Sequence, residues 1–177
     1  MPAHPRIAAL KGVIDGTAHD VTFPHYCLME LGRGGTLASL LWPDGPAPGG
    51  DLRPMPVEQA RAFTVELLEG LAHLHSHNVT HRDLKPANIL VDEQRWHIKI
   101  CDFGEAKATT AATCTGTFRG TPCYMAPEVG MGRYNLKVDV YAVAVMVMEM
   151  LGVAPANEHT VRSGASTTCA CKALDAS

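Results

Sequence analysis

Residues 80–91, THRDLKPANILV, hold several charged and polar side chains at close spacing directly before a short apolar run. The four that could do chemistry are Arg82, Asp83, Lys85 and Asn88. A carboxylate can accept a proton, carboxylate and amide oxygens are the hard ligands that Mg²⁺ prefers, and a lysine can neutralise phosphate oxygens. A solvated turn between a helix and a strand could contain any one of these residues. Their occurrence together at fixed spacing is not explained by a solvated turn alone and asks for a functional reason.

A second carboxylate follows in DFG, Asp102–Gly104, directly after the strand-like run HIKI. In this order and spacing, HRDLKPAN and DFG resemble the catalytic motifs of eukaryotic protein kinases. The resemblance implies transfer of the ATP γ-phosphate, in which the enzyme mainly positions and neutralises the moving group. Asp83 would accept the proton of the substrate hydroxyl, and Lys85 would lie against the γ-phosphate. Asn88 and Asp102 would hold Mg²⁺, so that ATP and Mg²⁺ are the implied cofactors.

The nucleotide side of the site is implied by YCLMEL followed by GRGG, which is similar to a kinase hinge. Backbone groups of Glu30 to Gly32 would hydrogen-bond adenine, and Met29 stands at the gatekeeper position. The implied nucleotide-binding residues are Met29, Glu30, Leu31, Gly32 and Leu90. GRGG itself fits neither a dinucleotide fingerprint nor a P-loop, which need glycines and a Gly-Lys pair that are absent here.

GTPCYMAPE, residues 120–128, resembles the end of an activation segment, with Glu128 as its anchoring acid. Thr117 stands where family members often carry an activating phosphate, and Arg82 and Lys107 match the positions that pair with it. An unmodified threonine in a Thr-rich loop is the alternative. Thr121 and the lysine in DLKPAN follow the serine/threonine pattern rather than the tyrosine pattern. The style of GGTLASLL and GTPCYMAPEV is similar to the tyrosine-kinase-like group of Ser/Thr kinases.

Local patterns predict the elements that must position these residues. Apolar residues at three- and four-residue steps predict a helix in PVEQARAFTVELLEGLAHLHSH, and VDVYAVAVMVMEML predicts a helix buried in the core. Thr36 is a candidate cap for a short helix after GRGG. The predicted strands are 7–14, 25–31, 88–91 and 97–100, with a long loop over 105–122.

The resemblance implies an α+β, protein-kinase-like fold, mostly the helical large lobe with two strands of the small lobe. The expected domains are a remnant of the small lobe and hinge strand in 1–31, the large lobe with catalytic loop and activation segment in 32–151, and a disordered tail in 152–177. Three further residues would have structural roles in this fold: His81, Phe103 and Asp139, the last bracing the backbone of the catalytic loop.

Composition and short motifs restrict the classes of partner and the cellular location that the sequence predicts. The formal net charge of -3 predicts no nucleic-acid partner, and the longest apolar run is too short to span a bilayer. The six cysteines form no C-x-x-C pair, and no secretory signal is evident, so we expect a cytoplasmic protein that acts on a protein substrate. Oligomeric state is not predicted. The histidines in HLHSHNVTH could suggest a metal, but no Cys or acidic partner accompanies them at ligand spacing.

The resemblance is incomplete. No Gly-rich loop, small-lobe lysine or partner glutamate precedes His4, and the helices expected after Leu151 are replaced by a polar tail. We therefore expect a chain truncated at both ends, which alone binds ATP poorly and phosphorylates little. Two hypotheses follow: a protein Ser/Thr kinase, or a catalytically impaired kinase-like interaction module. Retention of Asp83, Asn88 and Asp102 favours the first.

Overall fold

The computed structural model describes residues 2–15, 25–44, 52–108, 114–115, 121–131 and 133–153. Three helices are present in this part of the chain: α1 (Leu37–Leu41), α2 (Val57–Ser76) and α3 (Lys137–Met150). The strands are β1 (Leu10–Asp15), β2 (His25–Met29), β3 (Val79–Thr80), β4 (Ile89–Val91), β5 (Ile98–Ile100), β6 (Lys107–Ala108), β7 (Cys114–Thr115) and β8 (Arg133–Tyr134). The predicted tail beyond residue 153 lies outside the described residues.

The strands form four antiparallel pairs rather than one sheet: β1 with β2, β3 with β6, β4 with β5, and β7 with β8. Of these, β6 and β7 lie within the stretch predicted as a continuous loop. The β4–β5 pair lies between the two predicted motifs, and its register sets Ile89 opposite Ile100. The residues just before β4 and just after β5 are therefore brought side by side.

Helices α2 and α3 build the core. The residues that the periodicity predicted for one face of α2 are all buried: Ala60, Phe63, Leu67, Leu71 and Leu74. They pack in one cluster with Ile100 of β5 and with Met146 of α3. The prediction that α3 is surrounded by the core holds for most of its length, but Val140 is 45% exposed. None of the described helices is long and apolar enough to cross a membrane.

The N-terminal segment differs from the prediction of a strand over residues 7–14. The strand begins at Leu10, and the buried residues Ile7 and Ala8 contact β5 instead. Ala8 N–H donates to Ile100 O (2.8 Å), and Ile100 N–H donates to Arg6 O (2.9 Å). Because successive strand residues point their backbone groups to opposite edges, those of Ile100 face away from β4, and this segment occupies the outer edge of β5.

Helix α1 begins where the sequence predicted. The Thr36 hydroxyl accepts from Ser39 N–H, and the Ser39 hydroxyl accepts from Thr36 N–H, forming a capping box. The preceding glycines allow close approach to β4: a Cβ on Gly34 would lie 1.9 Å from Asp92 O. The chain that leaves β2 is thereby held against the strand that carries Leu90.

Candidate active site

The catalytic-loop residues predicted from the sequence converge on the carboxylate of Asp83. Its Oδ2 accepts from Lys85 Nζ (2.7 Å) and Asn88 Nδ2 (3.2 Å). Its Oδ1 accepts from the backbone N–H (3.0 Å) and the hydroxyl (2.9 Å) of Thr121. Lys85 Nζ also donates to Thr121 Oγ1 (3.0 Å). One hydrogen-bonded group therefore joins the catalytic loop to the start of the GTPCYMAPE segment.

These contacts keep Asp83 ionised. Partial burial alone would raise the pKa of the Asp83 carboxyl, but hydrogen bonds from Lys85 and Thr121 and the lysine charge outweigh burial and lower it. The carboxylate is thus an acceptor at neutral pH, as orientation of a substrate hydroxyl requires.

The turn that presents these side chains is braced by Asp139 at the start of α3. Its buried carboxylate accepts from His81 N–H (Oδ2, 2.9 Å) and Arg82 N–H (Oδ1, 3.0 Å). Arg82 adopts φ of 70°, a left-handed conformation that costs free energy for a non-glycine residue. The resemblance implied that Asp139 braces this backbone, and the structure places its carboxylate on both amides.

His81 links the catalytic loop to the DFG segment. Asp83 N–H donates to His81 Nδ1 (3.3 Å), so the ring proton lies on Nε2, which donates to Cys101 O (3.0 Å). Burial lowers the pKa of His81 despite the carboxylates nearby, which favours this neutral form. Its ring also packs on Phe103, with centroids 5.0 Å apart.

Asp102 is placed beside Asn88 by the β4–β5 register. Cys101 N–H donates to Asn88 O (2.9 Å), one step beyond the Ile89–Ile100 pair. Asn88 Nδ2 donates to both Asp83 O and the Asp83 carboxylate, which leaves the amide oxygen as its acceptor for a cation. Asp102 is exposed and has φ of 62°, and its one hydrogen bond within the described part of the chain is a long one of 3.3 Å, accepted from Gly104 N–H. This donor set, one carboxylate and one amide oxygen, suits Mg²⁺ completed by phosphate and water oxygens.

The predicted nucleotide residues lie along the exit from β2. Met29 pairs with Leu10, and Glu30 N–H donates to Ala9 O (2.9 Å), so this amide is already engaged within the sheet. A Cβ on Gly32 would lie 2.8 Å from Leu90 Cβ, which shows how closely the segment passes over β4. Leu31 is 78% exposed, and the Gly32 carbonyl accepts from Gly35 N–H (3.1 Å).

Activation-segment residues are only partly described. Arg82 Nε donates to the carbonyl of Glu105, and Lys107 is exposed on β6. Thr117 lies outside the described residues, so its predicted modification stays a prediction. Glu128 is half-buried in a 3₁₀ turn, Pro127–Met131.

Several polar contacts of this region were not found by the sequence analysis. His75 Nε2 donates to Asp139 Oδ2 (2.9 Å), which gives the loop brace a third donor. The Tyr124 hydroxyl contacts the buried carboxylate of Glu149 at 2.9 Å. The carboxylate of Glu30 pairs with Lys99 across to β5. All three pairs join residues far apart in the chain, so no local spacing could have indicated them.

Comparison with known proteins agrees with this geometry. The family model described as protein kinase domain matches residues 1–173. This chain belongs to the protein kinase family. The predicted protein kinase family and its α+β fold are thereby confirmed, whereas the finer tyrosine-kinase-like placement stays a prediction.

The kinase chain is similar to longer curated proteins. It is 38% identical over 160 residues to mitogen-activated protein kinase kinase kinase ANP1 of Arabidopsis thaliana, covering 86% of this chain and 22% of that protein. It is 45% identical over 98 residues to serine/threonine-protein kinase sck1 of Schizosaccharomyces pombe, covering 54% of this chain and 14% of that protein. The chain thus spans about a fifth or less of the length of these relatives.

Proposed function

We propose that this kinase chain carries the catalytic site of a protein serine/threonine kinase, a transferase that moves the ATP γ-phosphate to Ser or Thr hydroxyls of a protein substrate. The observation that carries the proposal is the Asp83 carboxylate, held ionised between Lys85, Asn88 and Thr121. The names of the relatives support the acceptor class, since sck1 is a serine/threonine-protein kinase.

Each residue of the group has a role that follows from its contacts. The ionised Asp83 orients the substrate hydroxyl and receives its proton. Lys85 stays next to both Asp83 and Thr121 and offers its remaining N–H to the transferring phosphate. Asn88 and Asp102 would hold Mg²⁺, which when bound neutralises charge on the ATP phosphates. Backbone groups between Glu30 and Gly32, with Met29 and Leu90 as apolar contacts, would hold adenine.

Control by phosphorylation is part of the proposal. A phosphate on Thr117 would attract the guanidinium of Arg82, whose Nε now donates to the Glu105 carbonyl, and the exposed ammonium of Lys107. Mass spectrometry of the phosphorylated protein and comparison of Thr117→Ala with the parent chain test this idea. Equal activity of the two would refute it.

A cytoplasmic location and the domain division at residues 31 and 151 also stay predictions from the sequence.

Nucleotide binding tests the central proposal most directly. The thermal shift caused by ATP with Mg²⁺ is measured up to millimolar nucleotide for the intact chain, for Asp102→Asn, and for the control Asp92→Asn. Asp92 is a matched control because it is also a loop carboxylate beside the β4–β5 pair, where it accepts from Trp96 N–H. Because the sequence predicts weak ATP binding by this chain alone, we expect a small stabilising shift near millimolar nucleotide in the parent and the control, and its loss in Asp102→Asn.

Equal shifts in all three proteins, or none in any, would contradict the proposed catalytic site and favour the interaction module instead. Phosphoryl transfer to a generic protein substrate, compared between the parent chain and Asp83→Asn, then separates catalysis from nucleotide binding alone. Transfer that survives in Asp83→Asn would remove Asp83 from its proposed role.

A further inference from the structure

The outer edge of β5 is held at two points by different kinds of group. Ile100 exchanges hydrogen bonds with the backbone of Arg6 and Ala8, as a strand partner would. Ile98 N–H, two residues earlier and therefore on the same edge, donates instead to the side chain of Glu66 on α2 (Oε2, 2.8 Å). A carboxylate from a helix thus occupies the position of a missing strand partner.

The second oxygen of Glu66 is also engaged, although the residue is only 6% exposed. Glu66 Oε1 lies 2.8 Å from Arg6 Nη1 and 2.7 Å from His97 Nδ1. Because a carboxylate only accepts, His97 Nδ1 carries a proton and donates it to Glu66, so its 3.4 Å approach to Arg6 Nη1 joins two donors and is not a hydrogen bond. Burial of the Glu66 carboxylate costs desolvation free energy, and the positive charge of Arg6 offsets part of that cost.

Arg6 therefore serves both attachment points. Its carbonyl accepts from Ile100, and its guanidinium holds the carboxylate that accepts from Ile98. Strand β5 is three residues long and reaches Asp102 after a single intervening residue, Cys101. A strand this short has few bonds to fix its direction, so each bond on its outer edge affects where the following carboxylate points.

We propose that Glu66, held by Arg6, is a positioning residue that fixes the direction of β5 and thereby places Asp102 for metal binding. This inference rests on the proposed function, in which Asp102 holds Mg²⁺. Glu66, a buried acid on α2, would then contribute to metal-dependent nucleotide binding without contacting Asp102 or Asn88, since none of its described contacts is with either residue.

The test compares three variants. Glu66→Met keeps most of the side-chain volume and removes the acceptor, and Glu66→Gln keeps an oxygen that can accept from Ile98 N–H. Glu69→Gln is the matched control, because Glu69 also pairs with Arg6 (3.1 Å) but is half exposed and makes no described bond to β5. Amide hydrogen exchange of Ile98 and Ile100 reports the strand edge. Affinity for ATP with Mg²⁺ and with EDTA reports the metal-dependent part of binding.

We expect Glu66→Met to exchange the Ile98 amide at least ~10-fold faster and to weaken Mg²⁺-dependent affinity about tenfold, as loss of a metal-supporting contact commonly does. Affinity in EDTA should stay unchanged, which a general loss of stability would not produce. Glu66→Gln keeps an acceptor for Ile98 N–H but turns its amide N–H₂ toward Arg6 and His97, so it should recover about half of both effects, and Glu69→Gln should match the parent. An unchanged ratio of the Mg²⁺ and EDTA affinities in Glu66→Met would overturn the inference.

If Glu66→Met does not fold, Arg6→Gln is the second variant, since it removes the charge that supports Glu66 and keeps the backbone carbonyl. The same change in the affinity ratio is then expected, with a smaller effect on Ile98 exchange. If the parent chain itself shows no Mg²⁺-dependent binding, the proposed function fails, and with it the link to Asp102. Ile98 exchange equal to that of the parent would refute the attachment itself in either case.

Discussion

Replacement of Asp139 by alanine tests how the catalytic loop is held. The carboxylate is 1% exposed and accepts from the backbone amides of His81 and Arg82 and from the ring of His75, at 2.9–3.0 Å. In Asp139→Ala these three donors lose their acceptor while they stay largely buried. The same change releases the left-handed conformation of Arg82 from the bond that fixes it.

The magnitude follows from the number of donors. A buried donor left without an acceptor costs about 1–3 kcal/mol, so three donors at about 1.5 kcal/mol each destabilise the fold by roughly 4.5 kcal/mol. That is a large part of the ~5–15 kcal/mol by which a domain is stable. Asp139→Asn keeps one acceptor oxygen but turns an amide N–H₂ toward another donor, so we expect about half this loss.

Urea unfolding followed by circular dichroism measures these free energies, with Asp92→Ala as the control. Asp92 also accepts two backbone amides, from Trp96 (2.7 Å) and His97 (2.9 Å), but at a turn where water can replace it. Its replacement should cost less than about 1 kcal/mol. If Asp139→Ala lost no more stability than Asp92→Ala, the argument that buried donors depend on this carboxylate would be wrong.

Two further predictions follow from shifted pKa values. Burial lowers the pKa of His81, so the unfolded chain binds its proton first as the pH falls below about 6.5, and the stability contributed by the neutral ring is lost on acidification. His81→Phe should therefore make the free energy of unfolding less pH-dependent between about pH 7 and pH 5, and an unchanged slope in urea titrations would contradict this. Burial, with the Asp102 charge, raises the pKa of the Cys101 thiol to about 11, so only about one molecule in 1,000 carries its thiolate at pH 8. Peptide mapping after iodoacetamide treatment should find the exposed Cys27 alkylated and Cys101 intact, and equal labelling would count against the buried environment.

The sequence was informative wherever a pattern is local. Three- and four-residue spacing identified the buried face of α2, and Thr36 marked the beginning of α1 through its own hydroxyl. The candidate catalytic residues were also indicated locally, because the kinase motifs concentrate Asp83, Lys85 and Asn88 within one turn. Interactions between residues close in the chain can therefore be predicted from the sequence pattern.

Prediction was less accurate where distant segments compete for the same partner. Ile7 and Ala8 have a strand-like sequence, but they contact β5 instead of extending β1, because β5 has an open edge. Asn88 was predicted within a strand, yet it ends the 3₁₀ turn Pro86–Asn88, where its side chain donates back to Asp83 O. Neither choice is determined by the residues of the segment alone.

The geometry of the candidate site also depends on residues that are distant in the sequence and belong to the core. Arg82 and Asp102 both have positive φ without being glycine, a conformation that costs about 1–3 kcal/mol when the surroundings do not enforce it. Arg82 is held by a carboxylate from α3, and the strand before Asp102 is held by a carboxylate from α2. Both acids, Asp139 and Glu66, belong to the helices that form the core, so packing between α2 and α3 affects the separation of the proposed catalytic and metal-binding loops. Changes in that packing should therefore alter metal-dependent binding before they unfold the chain.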